Sequence, residues 1–204
     1  MIYHSRVITA GADPVSLDEA KTHLEVTGTS KDAFITALIS SATKICEAYA
    51  GLSFATAQRK MVMDKFPCGD IILPYGPVQS IDSFKYVDSN GADINLIADD
   101  TYFFNGNSEI AKLQSLTSGS SSNWPVTLNR GGVVVIEYTA GYDDVSSDWP
   151  LPPQVKQAIL QQVGSMFENR QDEIVGSTGT AISKLDQDSR AILDTVKVYW
   201  NANY

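Results

Sequence analysis

The sequence has little of what most enzymes and membrane proteins depend on. Among its 204 residues there are two histidines and two cysteines. Cys46 and Cys68 form no CxxC pair, so they read as reduced thiols rather than a disulfide framework. The longest strictly aliphatic run, Val133 to Ile136, falls far short of the ~18 residues that a membrane-spanning helix needs. Met1 to Gly11 holds no basic stretch followed by an apolar one, so no secretory signal is expected and the chain is read as soluble and made inside its host cell. GxGxxG, GxxxxGKS, GxxxxGKT, GxSxG and HExxH are all missing. His23 has no second histidine or cysteine at ligand spacing. No catalytic residue, no metal and no cofactor is therefore expected.

Basic side chains are also scarce, 15 Lys and Arg against 24 Asp and Glu, for a net charge of -9. That balance argues against a general grip on nucleic acid, which needs clustered cations to displace counterions from phosphates. Split along the chain, residues 1–57 carry 4 basic and 6 acidic groups, 58–150 carry 6 and 12, and 151–204 carry 5 and 6. The middle segment thus holds most of the acidic excess.

What is present is a core-forming composition, 43% hydrophobic, in a chain of one or two domains at roughly 100–200 residues each. Ser16-Leu17-Asp18-Glu19 fits a capping box and predicts a helix from Leu17 to about Val26, stopped by Gly28. Ser30 is placed to cap a second helix. Its apolar positions Phe34, Ile35, Leu38, Ile39, Ala42, Ile45, Cys46 and Tyr49 recur at three- and four-residue spacing up to Gly51.

From Gln58 the period shortens. Met61–Phe66, Ile71–Leu73, Ile81–Val87, Ile94–Ile97, Tyr102–Phe104, Glu109–Leu113, Val126–Leu128 and Val133–Thr139 are predicted strands. Asn90-Gly91 predicts a hairpin with a type I′ turn. Pro150, Pro152 and Pro153 mark a return to helix, with Val155, Ala158, Ile159, Val163, Met166 and Phe167 as its stripe. A polar, Gly-rich linker over 171–180 precedes a last amphipathic helix from Ser189 to Trp200. A helix that short is marginal alone and needs a partner surface.

The fold expected is α+β, with a helical core from the N- and C-terminal helices, an inserted small antiparallel β module, and a C-terminal tail or helix. Its parts are an N-terminal helical pair (1–57), the β module (58–150) and the C-terminal helix, linker and terminal helix (151–204), the helical parts forming one domain. Asp99-Asp100 and Asp143-Asp144 with Asp148 could in principle hold Ca²⁺, but they lack an EF-hand framework and read better as turn residues. Trp124, Tyr142 and Trp149 could form a carbohydrate platform, and partly buried aromatics at sheet ends are the plainer reading.

Several strings resemble the tailed-phage head-tail connector family of adaptor, or head-completion, proteins, including prophage proteins described as possible DNA-packaging proteins. They are Pro14-Val15-Ser16-Leu17-Asp18-Glu19-Ala20-Lys21-Thr22-His23-Leu24-Glu25-Val26, Glu47-Ala48-Tyr49-Ala50-Gly51 and Leu73-Pro74-Tyr75-Gly76-Pro77-Val78-Gln79-Ser80-Ile81. Tyr138-Thr139-Ala140-Gly141-Tyr142, Pro152-Pro153-Gln154-Val155 and Phe167-Glu168-Asn169-Arg170 continue the match in order.

The resemblance implies a structural virion protein of the phage neck, made in the bacterial host cytoplasm. It implies a ring of identical copies, a dodecamer in the virion, attached under the portal protein, extending the DNA channel and docking the stopper or tail-completion protein. DNA would pass without sequence-specific binding, and no membrane is involved. In such adaptors the C-terminal segment reaches the portal, which makes Ile182, Leu185, Ile192, Leu193, Val196, Tyr199 and Trp200 the candidate docking tail. The alternative, in which Ile192, Leu193 and Tyr199 complete the subunit's own core, stays open. Asp99, Asp100, Asp143 and Asp144 are the candidate acidic loop or lumen residues, since carboxylates facing phosphates repel DNA; the alternative, in which they coat the outer face of the β module for solubility, stays open. The alternative functions are a stopper or tail-completion protein, which tend to be mostly β, and a β-module ligand-binding protein with a helical oligomerisation collar.

Overall fold

The computed structural model describes residues 3–116, 124–142, 149–168 and 185–198. In chain order it runs β1 (Tyr3–Thr9), α1 (Leu17–His23), α2 (Asp32–Ala50), β2 (Ala57–Met63), β3 (Ile71–Leu73), β4 (Val78–Val87), β5 (Asp93–Asn95), β6 (Tyr102–Asn105), β7 (Ala111–Ser115), β8 (Val134–Ala140), α3 (Pro153–Glu168) and α4 (Gln187–Leu193). The fold is α+β, with four helices and two antiparallel sheets among the described residues.

The expected capping box is present: Glu19 N–H donates to Ser16 Oγ (3.2 Å) and Ser16 N–H to Glu19 Oε2 (2.7 Å). The helix it starts stops at His23, earlier than expected. Val26 N–H donates back to Lys21 O and Glu25 N–H to Thr22 O, with Glu25 at φ 54°. This is a Schellman stop built on a non-glycine residue. α2 begins at Asp32 behind Lys31, not at a Ser30 cap, and ends in a left-handed Gly51. Ile35, Leu38, Ile39, Ala42, Cys46 and Ala50 form its buried face and pack with Val155, Ala158, Ile159 and Val163 of α3. Each buried Ile, Leu or Val there contributes roughly 1.5–3 kcal/mol relative to exposure.

The larger sheet has the order β1-β2-β8-β4-β5 and the smaller β3-β7-β6. Strict alternation along β2 and β8 puts Met61, Met63, Val134, Ile136 and Tyr138 on the inner face and Lys60 and Glu137 on the outer. Ile71, Leu73 and Leu113 of the smaller sheet close over that face, with Phe84 and Tyr102 in the same cluster. The apolar interior is therefore two clusters, one helical and one between sheets.

Three local expectations are corrected. β1 was not anticipated; it pairs with β2, so a boundary at residue 57 cuts an edge strand from its sheet. Val126–Leu128 is not a strand, because only Thr127 bridges, to Asp88, and Val126 is 78% exposed. The Asn90-Gly91 hairpin exists, yet only Gly91 has positive φ (88°). Gly91 N–H donates to Asp88 O and Asp88 N–H to Ala92 O, a type I turn closed by a glycine bulge. Asp88 Oδ1 accepts from the N–H groups of Asn90 and Ala92, fixing the three-residue form.

Candidate functional site

The segment after the Gly-rich linker is seated on its own subunit. Asp186 caps α4, accepting from Asp188 and Ser189 N–H, and its own N–H donates to Gln162 Oε1 of α3 (2.8 Å). Ser189 Oγ, fully buried, donates to Ala158 O (3.0 Å). Val198 N–H donates to Ala50 O at the end of α2 (3.0 Å). Tyr49 gathers the exposed side of this joint: its hydroxyl donates to Asp194, Arg190 Nε donates to it (3.0 Å), and Lys197 Nζ lies 3.9 Å from its ring centre. Leu193 is completely buried in the helical cluster, and Leu185, Ile192 and Val196 are partly buried against it. While α4 is seated, Leu193 offers nothing to a second protein. Ile182, Tyr199 and Trp200 lie outside the described residues.

The acidic residues fall in different situations. Asp99 and Asp100 are exposed in the β5–β6 connection, where Asp99 adopts φ 61° and its N–H donates to Tyr102 O. Burial, and after it the Asp99 charge, pushes the Tyr102 phenol above its ordinary pKa. Asp143, Asp144 and Asp148 lie outside the described residues. Among the described residues no group of His, Cys, Asp and Glu is arranged to hold a metal ion.

The aromatic platform does not form. Trp124 stacks on Phe66 (5.1 Å between ring centres, 9° between planes) and donates through Nε1 to Gly69 O, inside the sheet cluster. Trp149 and Tyr142 belong to the helical cluster. Their faces are used internally and in different places, which removes the basis for a carbohydrate module. His23 sits beside Gly164 of α3, as a helix-packing residue.

The most elaborate polar arrangement lies at the seam between the layers, and three of the strings that carry the family resemblance, 47–51, 73–81 and 138–142, meet there. Glu47, 4% exposed, turns Oε1 onto the N–H groups of Phe54 (2.8 Å) and Ala55 (3.5 Å), while Lys44 reaches Oε2 (3.2 Å). Ser53 N–H donates to Gly76 O, Tyr142 N–H to Ser53 O, and Gly141 N–H to Pro77 O. Arg59 occupies an inward position of β2, equally buried. Its guanidinium lies 4.2 Å from the Tyr75 ring centre and donates to Ser53 Oγ, while Nε has no partner among the described protein groups. Tyr138 OH donates to Pro74 O. Gly141 (φ 130°) must be glycine, because a Cβ would run into the Ala55 carbonyl. Burial pushes the hydroxyls of Tyr138 and Tyr142 and the Cys46 thiol up to about 12. These groups stay neutral, and the Tyr138 hydroxyl serves the seam as the donor to Pro74 O.

Sequence reasoning missed Glu47 and Arg59 as buried partners, since nothing local separates a buried charge from a solvated one. Tyr3–Thr9 shows no strict alternation, since His4, Ser5 and Arg6 are polar in a row and Val7 and Ile8 apolar in a row, so β1 had only its β-branched Val7, Ile8 and Thr9 as a signal.

Fold and site together define a two-layer α+β protein whose buried polar groups fix one layer against the other. A family model for head completion proteins matches residues 15–201, and the chain belongs to that family. No curated protein sequence is significantly similar to it. Similar solved structures include a chain in the neck of an empty gene transfer agent particle, computed with C6 symmetry. It has a TM-score of 0.71 and 19% identity, covering 98% of this chain and 96% of that one. Another is a chain in the virion of a native gene transfer agent particle (TM-score 0.73, 19% identity, 96% and 95% covered). A third comes from the neck of the native particle computed with C12 symmetry (TM-score 0.65, 17% identity, 95% and 96% covered). At these identities the likeness is one of fold over essentially the whole chain.

Proposed function

We propose that this head completion protein is a structural, non-catalytic part of the phage neck, and specifically the adaptor. A ring of its copies sits under the portal, extends the DNA channel and presents the surface on which the stopper or tail-completion protein docks. The observation that carries the adaptor role over the stopper role is the helical layer. α1 to α4 form a body with its own apolar cluster, where a mostly β stopper would have none. Family membership and the whole-length likeness to neck chains support the virion setting. A net charge of -9 suits a ring through which DNA slides without being held. Because Leu193 is committed to the core, contact with the portal falls to the segments flanking α4, with Ile182, Tyr199 and Trp200 as its apolar candidates.

The test mixes the purified chain with portal rings of the same phage and measures particle mass and symmetry. Direct binding that adds a ring of copies, with no other neck protein present, is the expected result. Binding that occurs only after another neck protein has been added assigns the chain to the stopper position.

A further inference from the structure

The two edges of the five-stranded sheet differ in a way that fits one edge to the other. At one end β1 is an edge strand with no further neighbour among the described residues. Its described exposed side chains include Arg6 and Ile8, the latter 45% exposed beside the register shift between Val7 and Thr9. At the other end are β5 and the β5–β6 connection, with Ile97 61% exposed and Asp93, Asp99 and Asp100 exposed around it. Phe103 and Leu116, each 44% exposed, extend this apolar surface. Thr101 links them: its Oγ1 accepts from Ile97 N–H, and its carbonyl accepts from Leu116 N–H. Phe103 stands opposite Gln114, two residues from Leu116, on the face turned away from buried Leu113. One edge thus offers the Arg6 cation beside an apolar Ile8, and the other an apolar Ile97 among three carboxylates, with Lys85 opposite Asn95 and Lys112 opposite Asn105 as the exposed cations nearby. Four strand spacings separate them, roughly 19 Å across the sheet.

A cyclic ring of identical copies needs this kind of pair. Its contacts are head-to-tail, so each subunit must carry two different, mutually complementary surfaces on opposite sides. We propose that the β1 edge of one copy, through Arg6 and Ile8, docks against the β5–β6 surface of the next, through Ile97, Phe103, Leu116, Asp99 and Asp100. An unpaired strand edge supplies backbone donors and acceptors, the apolar groups lose their exposure, and the charges set direction and register. The inference rests on the ring reading above. It assigns Asp99 and Asp100 to the contact between copies, in place of the channel wall or the solvated outer face that the sequence left open.

The experiment uses the full chain carrying Cys68→Ser, which removes the exposed thiol and leaves only buried Cys46. Ile8→Cys and Ile97→Cys are added singly and together, and a short bismaleimide is applied to the protein alone and on portal rings. The doubly substituted chain is expected to give a ladder of linked copies. An equal mixture of the two single variants should stop at dimers, and each single variant alone should give no product. In parallel, Ile97→Asp should weaken self-association at least tenfold by sedimentation. Arg6→Glu should weaken it roughly two- to fivefold, and Asp99→Lys with Asp100→Lys should restore it in the same chain. No ladder from a protein that still forms multi-copy rings overturns this contact while the ring reading stands. A single variant that links to itself makes the contact two-fold and also overturns it. A protein that stays monomeric on portal overturns both.

Discussion

In the helical layer the buried side chains are mostly aliphatic and come from the two ends of the sequence. Ile35, Leu38 and Ile39 meet Val155, Ile159 and Val163, with Leu193 as the last piece. The sheet layer instead packs Met61, Met63 and a group of aromatics, with Phe66, Phe84, Tyr102 and Trp124 in edge or stacked contact. The difference is one of closure. Strands close by backbone pairing between near neighbours as well as by side chains. Among the described residues the helical layer is held by side chains and by polar grips on α4 and its flanks, contributed by Gln162, Ala158, Ala50 and Tyr49. The helical layer should therefore open first at its C-terminal piece, and the sheet layer only as a whole.

The largest effect should come from Phe84→Ala, which removes a side chain touching Phe66, Tyr102 and Trp124 and is expected to cost about 3–5 kcal/mol. Loss of both layers together in one calorimetric transition would show that the seam couples them; two transitions would break that coupling. Next, Glu47→Ala leaves the buried Phe54 N–H without its acceptor and should cost about 1–3 kcal/mol. Hydrogen exchange should rise at Phe54 and Ala55 before it rises in β8. Unchanged exchange at both amides would remove Glu47 from the joint.

Ser189→Ala should loosen α4 by about 1 kcal/mol, since the Ala158 carbonyl keeps its helix geometry but loses a buried donor. Cys46 measures this opening. Its thiol is buried and pushed up to about 12, so it stays protonated and reacts with a thiol reagent only when the helical layer opens. Faster labelling of Cys46 in Ser189→Ala, with near-UV signals of the aromatic cluster unchanged, would sharpen the contrast between layers.

A smaller, pH-dependent effect belongs to α1. The Ser16 backbone N–H holds the Glu19 carboxyl below its ordinary 4.5, with the Ser16 hydroxyl next and Lys156 adding to it. A carboxyl depressed in the folded state stabilises above its unfolded value and loses that support as pH falls through the folded one. The helical layer should thus weaken below about pH 4.5, and Glu19→Gln should flatten that dependence in a thermal melt. Smallest is Glu25→Gly. Relief of the left-handed φ of 54° is expected to gain up to about 1 kcal/mol in denaturant unfolding.

How much was legible follows from the range of each interaction. The Ser16-Glu19 box, Pro153 at the first position of α3 and the span of β3 depend on neighbours within a few residues, and they appear where expected. Asn90-Gly91 gave the hairpin but not its turn type, because the Asp88 carboxylate stabilises a different closure of the same loop. Leu193 and Val196 looked alike in a helical stripe, yet Leu193 is completely buried and Val196 only partly. Only the depth of the site between α2 and α3 makes the first a core residue.

The sequence alone carried the family resemblance in its local strings, and the α+β class with the order of the helices and of most strands after β1 in its periodicity and capping, because each of these signals is local. Tertiary structure decided the rest. It set Glu47 and Arg59 in a buried seam, seated α4 on its own subunit, and put Arg6 and the Asp93, Asp99 and Asp100 carboxylates at opposite ends of the sheet. Each of these depends on residues tens of positions apart meeting in space, which fixes burial and with it the difference between a solvated charge and a structural one.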